Sequence, residues 1–539
     1  MPQMTGAQAI VSSLVRHGVD TIFGLPGGQL YYLYDALYHQ RDDLRVITTS
    51  HEQGAAYMAL GYAHSTGRVG VYDVVPGPGV LNTTAALCTA WACNAPVLCL
   101  TGQIPTVGIG SGAGYLHELP DQLGVMRGLT KWAERIEQPG DAPALVAEAF
   151  RQLTTGRPRP VELEMAPDIM ELQTEVKLLD PDVPAPVEPD PELVDTAARL
   201  LGAAKRPLIM VGGGARDAGP ALLAVAEMLQ APVISHRQGK GIVSDRHYLG
   251  QTYPVGHHLW RDADVVLAVG TRLKYPLMYW GTKGLKVVRV DIDPEEVARV
   301  QKPEVGLIAD ARCTLQALAD ELPRHMVSRP SRQVELETLK ADFAERYEGI
   351  QPQLSFLKVM REELPDDGYF VDEITQTGFA SWYGFPCYEP RHFISSGYQG
   401  TLGYGYATAL GVKVAHPDKA VLQISGDGGF MYNVQELATA VAENIQLVTV
   451  IFRDNRFGNV ERDLRSRFGE ATIGAELRNP DFVALAESFG AVGLRATTPE
   501  QLRTALRQGF AESGPVLIEV PVGEMTNPWE FIMLPAARD

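Results

Sequence analysis

The sequence predicts an α/β chain of three doubly wound parallel-sheet domains, and three observations predict it. Short β-branched apolar runs alternate with helical patterns along the whole chain, as buried parallel strands joined by crossover helices do. Two breaks divide that alternation into three parts. Two stretches far apart in sequence repeat one order of strand, glycine turn, helix and strand. At roughly 150 residues per domain, a length of 539 residues has room for all three parts.

The first domain is expected over 1–175, with strands near 44–48, 69–75, 96–100 and 160–165. The first break, 180–191, carries five prolines, too many for a helix or a central strand. A second domain is expected over 190–325, with strands at 208–211, 265–269 and 287–290. The polar segment 322–332 closes it. The third, 350–539, has strand-like runs at 420–424, 447–452 and 516–520. Residues 68–100 and 419–450 share the repeated order, and 156–168 echoes 513–524. Any two open α/β sheets share part of this pattern, so duplication stands beside that plainer account. Paired similar domains commonly build a site between them.

Composition narrows the function. Lys and Arg number 47 against 65 Asp and Glu, a net charge of −18, which repels a phosphate backbone or an anionic membrane over most of the surface. Neither nucleic acid nor membrane is an expected partner. The five cysteines are odd in number and contain no CxxC, and they read as reduced thiols of a cytoplasmic protein. No basic and apolar leader opens the sequence. The longest weakly polar run, 84–100, is broken by Thr89, Asn94 and Pro96, too short to span a bilayer.

The sharpest chemical signal is Gly426-Asp427-Gly428-Gly429, where a strand runs into a glycine turn. Such glycines let backbone approach a phosphate, and a helix expected from about residue 433 offers free N–H groups to an anion. Asp427 is a hard oxygen donor suited to Mg²⁺, although Asp-Gly is also an ordinary turn. Twenty-five residues separate Gly428 from Asp454-Asn455-Arg456-Phe457-Gly458. In a doubly wound sheet this spacing puts Asn455 at the end of a following strand, on the edge that carries Asp427.

With these motifs the chain resembles the thiamin diphosphate enzymes, whose signature is GDG, a spacer of this length and a terminal Asn pair. The resemblance implies Asp427, Asn455 and the carbonyl of Phe457 as Mg²⁺ ligands. Asp454 departs from the pattern, standing where the first Asn belongs. A carboxylate is then needed against the pyrimidine N1′, and Glu52 in His51-Glu52-Gln53-Gly54-Ala55-Ala56 is similar to that of the acetolactate synthase branch. On spacing alone, Ser50 and Gln53 make a capping box and Glu52 suits a first helical turn. Phe23-Gly24-Leu25-Pro26-Gly27-Gly28, Pro76-Gly77-Pro78-Gly79 and Thr101-Gly102-Gln103 also match that branch. The resemblance places Gly28 beside the reacting carbon. It gives the Gly400 carbonyl a bond from the pyrimidine amino group, and it puts Leu402 between the cofactor rings, where the residue alone reads as an ordinary core leucine.

Other departures limit the likeness. His117 stands near the synthases' Gln, either facing substrate or serving a structural role. Asp463 stands where synthases that favour 2-oxobutyrate carry Trp. Arg456, Arg462 and Arg465 offer cations for a substrate carboxylate, though Arg462 and Arg465 read equally as solvated helix charges. Gly212-Gly213-Gly214 follows a strand without an acidic residue on the next, a weak dinucleotide signal. Members that bind FAD carry Arg-Phe-Asp-Asp where this chain has Arg272-Leu273-Lys274-Tyr275, which argues against FAD. Asp293-Pro294-Glu295-Glu296 reads as N-cap, first-turn proline and capping-box Glu. His257-His258 lies too far along the chain to be the N-terminal histidine pair of the family's decarboxylases. The implied activity is decarboxylation of a 2-oxo acid, most simply pyruvate, with ligation of the fragment to a second carbonyl. A non-ligating decarboxylase or a 2-hydroxyacyl lyase is the alternative. The resemblance also implies a homodimer or homotetramer with active sites between subunits.

Overall fold

The computed structural model describes residues 2–539. It contains three six-stranded sheets, every pairing in them parallel, and a two-stranded antiparallel ribbon of Gln3–Thr5 with Gln173–Glu175. The first sheet is ordered Arg45–Thr48, Thr21–Gly24, Gly70–Val74, Val97–Gly102, Val161–Met165, Trp132–Ile136. The third is ordered Phe393–Ile394, Tyr369–Val371, Val421–Gly426, Val448–Arg453, Val516–Pro521, Val492–Arg495. Numbered within each sheet, both run 2-1-3-4-6-5. The middle sheet, from Pro207–Val211 to Val305–Ile308, runs 3-2-1-4-5-6, the order of dinucleotide-binding folds.

The long apolar runs fall in central strands, whose residues are buried on both faces. The strands that the sequence reading passed over are short or lie at edges, among them Thr21–Gly24, Trp132–Ile136, Val305–Ile308, Tyr369–Val371, Phe393–Ile394 and Val492–Arg495.

The first and third sheets share a core. One apolar cluster joins Phe23, Tyr57 and Tyr72 to Tyr404, Phe430 and Phe482. At its centre the helix Glu52–Thr66 crosses Tyr404–Ala415, the helix at the matching place in the third domain. The middle sheet keeps a core of its own around Leu222, Leu267 and Leu315.

Three local readings are corrected. Glu52–Thr66 is capped by His51, whose Nδ1 accepts the Gln53 N–H (3.1 Å). Ser50 caps nothing. Its N–H donates to Glu436 Oε2 (3.1 Å) and its hydroxyl meets that of Thr439 (3.2 Å), tying the two domains together. The helix after the glycine turn begins at Asp427 and not near 433, because Gly426 is already the N-cap. It makes a single turn, Asp427–Phe430, and helix resumes at Glu436–Ala442. Asp293 caps Pro294–Ala298 as expected, but Glu296 does not reach back. Its carboxylate is buried against Arg157 (3.2 Å) and Arg299 (3.1 Å).

Candidate active site

Strands Val421–Gly426 and Val448–Arg453 are neighbours, with Gly426 opposite Phe452. Their carboxyl ends bring Asp427 and Asn455 together. Asn455 N–H donates to Asp427 Oδ2 (2.7 Å) and Gly428 N–H to Oδ1 (2.8 Å), so backbone fixes both carboxylate oxygens. Asn479 Nδ2 lies within hydrogen-bond distance of both Asp427 Oδ2 (2.8 Å) and Asn455 Oδ1 (3.2 Å). Asn455 is in the left-handed region at φ 57°, which turns its side chain away from the strand path. The Phe457 carbonyl accepts Glu461 N–H (2.9 Å) and keeps a second lone pair. A carboxylate, an amide oxygen and a carbonyl on one sheet edge form a donor set that fits Mg²⁺.

Beside them is a cavity of about 230 Å³ lined by Gly400, Leu402, Gly426, Asp427, Gly428 and Gly429, among others. A Cβ on Gly428 would lie 2.6 Å from the Phe457 ring and 2.8 Å from Leu477, so no side chain fits there and the backbone lies open to the cavity. Ser425 Oγ and Asn433 Oδ1, both fully buried nearby, have no hydrogen-bond partner among the described residues. Asp454 also lines the cavity. Burial and the adjacent Asp427 charge push its carboxyl up to about 6, and burial raises that of Asp427. Behind the cavity Glu373 accepts from Ile374 N–H (2.9 Å) and Gly405 N–H (2.9 Å), and burial pushes its carboxyl up to about 8.

The three arginines separate. Arg456 and Arg465 both pair with Glu461, at 3.0 and 2.9 Å. Arg462 has no carboxylate partner among the described residues. Its guanidinium donates to the neutral oxygens of Gln376 (3.1 Å) and Asn459, two residues that line the cavity. Asp463 is exposed on the same helix, Gly458–Phe468.

Glu52, Gly28 and His117 do not line this cavity. They gather in the first domain around Pro76-Gly77-Pro78-Gly79. Glu52 accepts from Asn82 Nδ2 (3.1 Å), and a Cβ on Gly79 would lie 3.7 Å from Glu52 Oε1. Gly28 faces Leu116, and the His117 backbone packs on Gly77. Within one chain this second group and the cavity beside Asp427 therefore stay apart. His257 is elsewhere, with its ring against Trp280 and its Nε2 donating to the Pro535 carbonyl (2.8 Å).

A second cavity of about 370 Å³ lies at the carboxyl edge of the middle sheet, lined by Gly213, Gly214, Asp291 and Arg272. Its four arginines are engaged: Arg157 with Asp293 and Glu296, Arg391 with Asp217, Arg272 over the Tyr398 ring, and Arg216 with the Gln238 carbonyl (3.1 Å) and His64 Nε2 (2.8 Å).

Asn479, Glu373 and Gln29 pack against the candidate residues, and sequence reasoning did not single them out. Only Gln29, which directly follows Gly27-Gly28, had a motif beside it.

Three family models match: "Thiamine pyrophosphate enzyme, N-terminal TPP binding domain" over 4–125, the "central domain" over 194–318 and the "C-terminal TPP binding domain" over 373–520. A probable 2-ketoarginine decarboxylase of Pseudomonas aeruginosa is 34% identical, covering 96% of this chain and 94% of its own. A probable acetolactate synthase large subunit of Methanocaldococcus jannaschii is 33% identical, with 96% and 92% covered. The acetolactate synthase isozyme 2 large subunit of Escherichia coli is 31% identical, with 98% and 97% covered.

Proposed function

The chain belongs to the thiamine pyrophosphate enzymes, and from that premise we propose that it decarboxylates a 2-oxo acid, most simply pyruvate, and joins the fragment to a second carbonyl as acetolactate synthases do. When bound, thiamin diphosphate supplies a carbon nucleophile for the oxo group and an electron sink for the departing CO₂. In this reading Asp427, Asn455 and the Phe457 carbonyl hold Mg²⁺, and the open backbone of Gly426, Gly428 and Gly429 receives the diphosphate. The Gly400 carbonyl accepts from the pyrimidine amino group. Leu402 fills the space between the rings, Glu52 sets its charge against the pyrimidine N1′, and Gly28 leaves room at the reacting carbon.

The observation that carries ligation is Arg462. A guanidinium held only by neutral oxygens keeps its charge for an anion, and positioning a second carboxylate-bearing substrate removes much of the entropic cost of coupling. Mass spectrometry of products from pyruvate alone, and from pyruvate with a panel of aldehydes and 2-oxo acids, should find a coupled product. Acetaldehyde and CO₂ alone would instead favour the non-ligating decarboxylase. That second reading is supported by His117 in the first half-site and by the relative named as a 2-ketoarginine decarboxylase.

The separated half-sites support a homodimer or homotetramer in which Glu52 of one copy meets Asp427 of another. Leu116 and Val107 are exposed near the first half-site, and Val460 and Phe468 beside the second, surfaces a second copy would cover. Light scattering of a fully active monomer would contradict this. No helix among the described residues is long and apolar enough to cross a membrane. The five free cysteines suit a cytoplasmic enzyme.

A further inference from the structure

Gln29 is buried and uses both ends of its amide. Its Nε2 donates to the Leu116 carbonyl (2.9 Å), and its Oε1 lies 2.8 Å from His117 Nδ1. A carbonyl only accepts, so Leu116 fixes which way the amide faces. The Gln29 oxygen also only accepts, so the hydrogen between it and the ring must sit on Nδ1. Neutral His117 is therefore the Nδ1–H tautomer, and Nε2 is its unprotonated atom.

The backbone around this pair is held as firmly. His117 is left-handed at φ 68°, and its carbonyl would meet a Gly77 Cβ at 2.4 Å. Gly77 N–H donates to Gln122 Oε1 (2.9 Å), and Gln122 Nε2 donates to Glu164 (2.7 Å), which Arg135 neutralises. The same short loop reaches Glu52 through Gly79, so His117 and Glu52 flank one structural element.

We propose that Gln29 is a positioning residue that fixes His117 in its Nδ1–H form, leaving Nε2 as the atom through which this half-site exchanges a proton with substrate. Nε2 takes a proton from the substrate, or as imidazolium returns one. Nδ1 keeps its hydrogen in both charge states, and Gln29 accepts it in both. The catalytic consequence rests on the function proposed above, whereas the tautomer is a property of the chain alone.

The test is ¹⁵N NMR of the full chain labelled at histidine, without cofactor, at a pH where the ring is neutral, with His117→Phe assigning the signal. The expected spectrum has a pyrrole-type Nδ1 and a pyridine-type Nε2. Gln29→Leu should shift the population toward the opposite tautomer and lower kcat about tenfold to a hundredfold, within the range of general acid–base contributions, with cofactor affinity within about twofold of wild type. Gln29→Glu retains an accepting oxygen and should keep the tautomer. An Nε2–H signal in the wild-type chain, or an unchanged tautomer in Gln29→Leu, overturns the role of Gln29. An unchanged kcat despite a shifted tautomer overturns the role of Nε2. If Gln29→Leu does not fold, the wild-type and Gln29→Glu spectra decide. A loaded chain that turns over no 2-oxo acid overturns the proposed function and the role of Nε2 with it, and the spectrum alone then judges Gln29.

Discussion

Gly61 and Gly411 are reciprocal partners: a Cβ on Gly61 would lie 2.0 Å from the Thr408 carbonyl oxygen, and one on Gly411 would lie 2.0 Å from that of Met58. The two helices approach backbone to backbone, and each glycine meets the carbonyl of the residue three positions before the other. Any added methyl group must push the helices apart. Gly61→Ala or Gly411→Ala should each cost about 1–3 kcal/mol, the usual range for overpacking a tight core, and lower the melting temperature in calorimetry. An unchanged melting temperature would mean that the helices separate freely.

That helix pair shows what the sequence could and could not convey. The repeat of strand, turn and helix was legible because central strands are long, apolar and bounded by glycine. The crossing was not, since Gly61 sits in a helix whose apolar residues surround it on every side, leaving no stripe to orient. At the site, Asp427 and Asn455 were legible from spacing, because adjacent parallel strands end on one edge. Asn479, in an irregular loop before Pro480, meets them only through the fold. Likewise Arg456, Arg462 and Arg465 look alike in sequence, and only Glu461 distinguishes them.

For the metal edge, Asp427→Asn should abolish Mg²⁺-dependent thiamin diphosphate binding by titration calorimetry. Asn479→Ala keeps the proposed ligands and loses the amide that aligns them, so affinity should fall by about 10–100-fold. Wild-type affinity in both variants would remove the metal from this edge.

Glu52→Gln retains shape and loses charge. Cofactor affinity should change little, while exchange of the thiazolium proton, followed by NMR, should slow by orders of magnitude. Exchange at the wild-type rate would leave Glu52 as a first-turn residue suited to the helix dipole and nothing more.

Arg462→Ala should raise KM for the 2-oxo acid by about tenfold or more, as loss of a charge-assisted bond of about 1.5–3 kcal/mol predicts, with thiamin diphosphate affinity unaltered. Arg465→Ala, whose arginine is already spoken for by Glu461, is the control and should leave KM unchanged.

Asp73 carries a pH dependence of stability. Its side chain is fully buried, and burial, opposed in part by the Tyr34 hydroxyl, pushes its carboxyl up to about 8, against about 3.9 in an unfolded chain. Between those values the folded chain holds a proton that the unfolded chain has released. The contribution is complete below the lower value and is lost as pH rises toward the upper one, at up to ~1.4 kcal/mol per pH unit. Asp73→Asn cannot ionise, so its denaturant stability should gain on wild type as pH is raised from about 5 to about 8. Parallel curves would show that Asp73 ionises without cost.

Residues 181–189 form no helix or strand and are almost wholly exposed, an inviting place for a protease. A nick there breaks the only covalent path from the first sheet to the rest of the chain. The fragments would still elute together from a sizing column and part only in denaturant, because Phe23 and Tyr57 remain interleaved with Tyr404 and Phe430. Covalent order and mechanical order thus differ in this molecule. The middle sheet is looped out between the two halves of a single solid, as an insertion is, and is tied to both, through Arg216 to His64 (2.8 Å) and Arg237 to the Gly397 carbonyl (2.6 Å).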